Sequence, residues 1–235
     1  TAIPCAIWSA ASILHKQQIQ LFINVNPHIM QDYKFKQGFT KEYLKNYSMD
    51  PESIVFEITE RNAVTNLASF KNIVKNYKEQ NYKIAIDDAG AGYSGLNLIS
   101  DVHPHFIKLD MNLIRDIDKD STKQSLVRSM CEFATLSNTS IIAEGIETER
   151  ELVQRINLGV NYGQGFYIQK PNPLLLPINP DIADRIHEAN NKKNHIYGSR
   201  ISDIYISNIC KSLKTLNPNM KVEQVGRMLN EDHTL

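Results

Sequence analysis

The sequence has little of what specialised architectures need. Its three cysteines, Cys5, Cys131 and Cys210, lie far apart and form no C-x-x-C pair. That argues against a disulfide framework or a thiolate zinc site and fits a reducing cytoplasm. Neither charge is in surplus, since 26 basic residues balance 26 acidic ones. Nothing therefore marks a surface for a DNA or RNA duplex or for a membrane, and any nucleotide ligand should be small. The apolar start, "TAIPCAIWSAASIL", is too short to span a bilayer and lacks the basic leader of a signal peptide, so it reads as a buried helix. Low-complexity tracts are missing too. Residue 1 is Thr rather than Met, so the chain is expected to be a piece of something longer. Its 235 residues suit one large core, with or without an appendage.

What is present is a repeated pattern. Short β-branched or aromatic runs recur: "LFINV" (21 to 25), "IVFEIT" (54 to 59), "KIAIDD" (83 to 88), "FIKLD" (106 to 110), "SIIAEG" (140 to 145) and "GFYI" (165 to 168). Runs this short and apolar read as buried strands. Segments with helical spacing lie between most of them: Leu67, Phe70, Val74 and Tyr77 share a face, as do Leu126, Met130 and Phe133, and Leu152, Val153 and Ile156. Strand then helix, repeated, means a parallel sheet covered by helices, in a doubly wound sheet or a barrel. Functional-looking residues close almost every strand: Asn24, Glu57, Asp87 with Asp88, Lys108, Glu144, and Gln164 just before the last. A doubly wound sheet gathers its ligand contacts at one switch point, whereas a barrel draws them from many strand ends, so a barrel is expected.

In a barrel, Glu57, Asp87, Asp88 and Glu144 converge on one mouth. Converging anions repel, and either some stay protonated or a cation neutralises them. Every ligand in the set is an oxygen, the Asn24 amide included, so the cation should be hard: Mg²⁺ or Mn²⁺, or Ca²⁺. Adjacent aspartates can serve two ions, which suggests two-metal phosphoester hydrolysis. For any one of these acids, a turn former or helix N-cap is the commoner role, and Glu147 and Glu149 can complement a helix dipole, so the case rests on the constellation. Alternation between Ile107 and Leu109 turns Lys108 inward, where it can orient a water or hold a phosphate. A competing pattern is the G-x-G-x-x-G of Gly90, Gly92 and Gly95, with Asp110 twenty residues after Gly90. It fails because two aspartates precede the loop, where they would repel a pyrophosphate, and because "SGLNLISDVHP" is a short helix stopped at Pro104.

These segments, in this order, resemble the EAL domain family, bacterial phosphodiesterases of the second messenger cyclic di-GMP. "LFINVNP" resembles the family's asparagine strand, "VFEITE" its E-x-T-E segment, "IDDAGAGYSGL" its D-D-F-G-T-G-Y-S-S-L segment, with Ala89 and Ala91 where the family often has Phe and Thr. "IKLD" resembles its lysine strand, "IAEGIET" its A-E-G-V-E-T, and "GVNYGQGFYIQKP" its closing Q-G-Y-x-x-x-K-P. The resemblance runs from about Ala6 to Pro171. It implies an α/β fold, a TIM-type (β/α) barrel with one antiparallel strand, and a homodimer. The family's E-A-L signature, whose glutamate is a metal ligand, is expected in first strands that lie upstream of Thr1. By motif, Asn24, Glu57 and Asp87 bind one metal, and Asp87 bridges to a second held by Asp88 and Glu144. Lys108 contacts the catalytic water or scissile phosphate, Glu147 and Gln164 support the metal-water network and the nucleotide, and Glu60 holds the loop after Asp88. The implied reaction is hydrolysis of cyclic di-GMP to linear pGpG. The rival reading is a receptor that binds cyclic di-GMP without cleaving it.

Beyond "QKPNP" the texture changes. Four prolines between residues 171 and 180 prevent regular structure, and a polar helix, "DIADRIHEANNKKNH", follows. We assign residues 1–195 to the EAL domain and residues 196–235 to a linker and the start of a second module. There "LKTLNPNMKVEQVGRML" resembles the opening of a CBS regulatory domain.

Overall fold

The computed structural model describes residues 19–25, 44–59, 67–90, 95–172 and 176–201. Six strands form one sheet: β1 Leu21–Asn24, β2 Ile54–Thr59, β3 Lys83–Ala89, β4 Phe106–Leu109, β5 Ser140–Ala143 and β6 Tyr162–Gly163. They pair in sequence order, and every pairing is parallel. Sequential order without reversal is how a barrel wall is laid down; a doubly wound sheet would break it at a switch point. The antiparallel strand implied by the resemblance is not among the described residues, and neither are the apolar start, Glu60 and the segment compared with a CBS domain.

The helices between the strands are α1 Leu67–Glu79, α2 Gly95–Val102, α3 Met111–Ile114, α4 Ser121–Leu136 and α5 Glu149–Leu158, with α6 Pro180–Ile201 beyond the last strand. On α1, Phe70, Val74 and Tyr77 are buried, and Phe56 of β2 stacks between Tyr77 and Tyr82 at centroid distances of 4.5 and 4.8 Å. These residues belong to the larger apolar cluster, between β1 to β3 and α1 and α2; a second joins β4 and β5 to α4. Two compact units divide the chain, Thr1–Ala189 and Asn190–Leu235. All six strands lie in the first. The described part of the second is the end of α6.

Two sequence expectations are corrected. "GFYI" is not the sixth strand; residues 165 to 168 form a turn in which Ile168 and Gln169 both donate to the Gly165 carbonyl (3.0 Å each), and the strand lies earlier, at Tyr162–Gly163. Aromatic and β-branched content suggested a strand, but Gly165 lies so close to Ile146 that a Cβ would sit 2.1 Å from its backbone nitrogen. The chain must turn there. On α4, Leu126 and Phe133 do not face the core; they are 47% and 37% exposed, while Val127, Cys131 and Ala134 are buried. The helix carries two adjacent apolar stripes, and the one with smaller side chains fits against the sheet.

Candidate metal centre

The pleat builds the site in two layers. Along a strand, residues two apart face the same side. Val55, Ala85, Phe106 and Ile142 form an apolar cluster on one face of the sheet, with Phe22 packed against it, and Phe106 makes edge contacts with Phe22 (5.4 Å) and Tyr162 (6.1 Å). Two residues further along each chain segment stand Asn24, Glu57, Asp87, Lys108, Glu144 and Gln164. One floor of hydrocarbon thus supports one ring of polar groups at the carboxyl end of the sheet.

At the centre of that ring is Lys108, 4% exposed. Its Nζ lies 2.7 Å from Glu57 Oε1, 3.0 Å from Asp87 Oδ1 and 2.6 Å from Glu144 Oε1. Gln164 Nε2 donates to the same Glu144 oxygen at 2.7 Å. Burial by itself lowers the lysine pKa, but hydrogen bonds to Glu144, Glu57 and Asp87 outweigh it and hold the ammonium above its ordinary range. For Glu144, burial pushes the carboxyl above its usual value, and the Lys108 hydrogen bond offsets part of that rise.

Strict alternation would send Asp88 to the opposite face from Asp87. A bulge prevents this: β3 takes three steps from Ile86 to Ala89 while β4 takes two from Ile107 to Leu109, and Asp88 has a left-handed φ of 56°. The Asp88 amide donates to Asp87 Oδ1 at 3.1 Å. Asp87, Asp88 and Glu144 consequently each present an oxygen within 4.8 Å of the other two. Such an all-oxygen set suits a hard divalent cation.

Asn24 stands beside Glu57 in the β1–β2 register and is exposed. Glu147 lies outside the Lys108 cluster, half-exposed, with its carboxylate accepting from Arg115 Nη2. Two residues absent from the sequence reading, Arg115 and Glu151, organise the segment after β5. Glu151 could have been found from Thr148-x-x-Glu151, a capping-box pattern that forms here in full. Arg115 carries no sequence signal; its contact spans the distance from α3 to the β5–α5 segment.

Comparisons with known proteins agree with this architecture. The model of the family described as EAL domain matches residues 5–171. Cyclic di-GMP phosphodiesterase PdeF of Escherichia coli (strain K12) is 31% identical over 157 residues, covering 67% of this chain and 21% of the relative. Cyclic di-GMP phosphodiesterase PdeA of Borreliella burgdorferi is 29% identical over 164 residues, 69% of this chain and 24% of the relative. This chain thus spans about a quarter or less of those proteins. Among solved structures, the calcium and cyclic di-GMP complex of Klebsiella pneumoniae BlrP1 superposes with a TM-score of 0.70 at 31% identity, covering 75% of this chain and 45% of that one. The cyclic di-GMP-bound standalone EAL protein of Vibrio cholerae O395 gives 0.66 at 34% identity, covering 77% and 76%.

Proposed function

The chain belongs to the EAL domain family, and from that membership we propose that it carries the catalytic face of a metal-dependent phosphodiesterase hydrolysing cyclic di-GMP to linear pGpG. One observation carries the proposal: three carboxylates, Glu57, Asp87 and Glu144, converge on the Lys108 ammonium, and a fourth, Asp88, lies within ligating reach of Asp87 and Glu144. Four negative charges against one positive charge leave a deficit that divalent cations make good. Relatives named as cyclic di-GMP phosphodiesterases, and a structural neighbour solved with manganese and cyclic di-GMP, support the choice of substrate and of Mg²⁺ or Mn²⁺.

Asp87, Asp88, Glu144, Glu57 and Asn24 would hold such ions. The bound ions would activate a water and neutralise the phosphate oxygens. Lys108 keeps Glu57, Asp87 and Glu144 from repelling one another and offers a fixed positive charge to the attacking oxygen or the phosphate. Gln164 orients Glu144 through its amide. Glu147, beside the site, serves the outer water network and the nucleotide. The polar ring at the carboxyl end of the sheet would take a small ligand rather than a duplex. A homodimer is part of the same reading, supported by the exposed stripe of Leu126, Phe133 and Leu136 on α4, the last of which is 90% exposed.

The test is hydrolysis of cyclic di-GMP by the full-length protein, first with Mn²⁺ or Mg²⁺ and then with chelator. Metal-dependent release of pGpG is expected. Tight binding without turnover would leave a receptor instead.

A further inference from the structure

We propose that Glu151 and Arg115 are positioning residues that clamp the segment carrying Glu144 and Glu147 at the mouth of the sheet. The inference rests on the reading that Glu144 is a metal ligand. Glu151 is 5% exposed, yet no salt bridge to its carboxylate exists among the described residues. Instead its Oε2 accepts from the amides of Glu147 and Thr148 (3.0 Å each), and its Oε1 accepts from the amide of Asp116 (3.1 Å). A capping box explains the Thr148 bond alone. The other two reach beyond the helix, one back along the β5–α5 segment and one across to the turn after α3. Burial by itself raises the carboxyl pKa; the backbone donors outweigh it and keep Glu151 ionised.

The turn it reaches is a firm anchor. Lys123 Nζ of α4 donates to the carbonyls of Asn112 (2.7 Å) and Arg115 (2.8 Å), and Gln124 Nε2 donates to that of Ile117 (2.8 Å). From this turn Arg115 extends to the Glu147 carboxylate. Between Glu144 and Glu147 the chain bends at Gly145, φ 64°, where a Cβ would come within 2.6 Å of Met111 Cβ. Ile146 then donates its amide to Gln164 at 3.1 Å. Glu144 therefore leaves β5 on a short segment whose far end is held by one buried carboxylate and one guanidinium. Neither contact touches Glu144 itself; their loss should loosen the metal through the short backbone segment between Glu144 and Glu147.

The experiment is Mn²⁺ titration followed by electron paramagnetic resonance on the full chain, alongside thermal unfolding and the kcat and KM for cyclic di-GMP. Variants are Glu151→Gln, Glu151→Ala and Arg115→Met, with Glu149→Gln as control because its carboxylate makes only solvent-exposed contacts, with Arg185 and the Tyr167 hydroxyl, among the described residues. Glu151→Ala should weaken Mn²⁺ binding about tenfold. Glu151→Gln and Arg115→Met should weaken it less, and Glu149→Gln not at all. Loss should appear in kcat with KM little changed. The Arg115→Met and Glu151→Gln effects should not add, since both loosen one segment. Arg115 is exposed, so its variant remains informative even where Glu151→Ala fails to fold. Wild-type Mn²⁺ affinity in both Glu151→Gln and Arg115→Met would overturn the clamp alone. Clamp variants that lose Mn²⁺ in a protein that never cleaves cyclic di-GMP would keep the clamp and refute the phosphodiesterase reading. A wild-type chain that binds no Mn²⁺ would overturn both.

Discussion

A lysine held by three carboxylates makes each of those acids depend on it. Replacing Lys108 by Met leaves the buried Glu57 and the partly buried Asp87 and Glu144 without their shared cation, a change of about 3–5 kcal/mol for a broken buried pair. Burial already pushes the Glu144 carboxyl above its usual value and the Lys108 hydrogen bond restrains that rise, so removing the ammonium pushes it further up. A carboxyl with a raised folded pKa favours the fold while protonated, so the metal-free variant should regain stability as pH falls from 7 toward 5, and turnover should drop by roughly 10²–10³-fold at neutral pH. Thermal unfolding across that range checks it, and a variant as stable as wild type at pH 7 with chelator would contradict the ion cluster. At the opposite end of β4, His105 Nδ1 accepts the Ile84 amide at 3.1 Å. Burial first, then Lys78 and Lys83, push its pKa below the ordinary histidine value. The fold thus prefers the neutral ring: its contribution is complete above the ordinary histidine range and is lost as pH falls through the lowered folded value. His105→Asn, which keeps an acceptor but cannot titrate, should flatten the acid limb of Tm against pH. An unchanged slope would refute the assignment.

At the scale of elements, what matters is where regular structure is interrupted. The bulge in β3 carries Asp87 and Asp88 to the same face, and the turn at Gly165 presses the segment after β6 against the β5–α5 segment so that Gln164 reaches Glu144. Gly165→Ala should therefore lower stability by roughly 1–3 kcal/mol, since the clash is with backbone, and should reduce turnover by displacing Gln164. Unchanged Tm and activity would mean that the two segments can part without consequence. The exposed stripe on α4 yields a different prediction. Leu126→Glu combined with Phe133→Glu should leave Tm nearly unchanged and convert a dimer to a monomer by light scattering; dimers that persist would place the interface elsewhere. Helical periodicity made α4 legible as amphipathic, but it could not say which of two neighbouring stripes meets the sheet. That choice depends on the space beneath the helix, which Val127, Cys131 and Ala134 fit and Phe133 does not.

For the whole molecule, metal binding and folding are linked. A cation that binds only the folded chain stabilises it by about 2.7 kcal/mol at a hundred times its Kd. Mn²⁺ should accordingly raise Tm, chelator should reverse the rise, and Asp87→Asn should remove it while unfolding cooperatively. A rise of equal size in Asp87→Asn would put the ion outside the proposed centre. No helix among the described residues is long and apolar enough to cross a membrane. The parallel sheet, the inward Lys108 and the ring of polar groups were legible in the sequence because the pleat has a period of two, set by covalent geometry, and each apolar run ends where that ring begins. Which acids touch Lys108, that Asp88 turns inward, that Glu147 pairs with Arg115 and that "GFYI" is a turn were decided only by the tertiary structure. Those facts join residues far apart in the chain, and their distances follow from how sheet and helices pack rather than from any local preference.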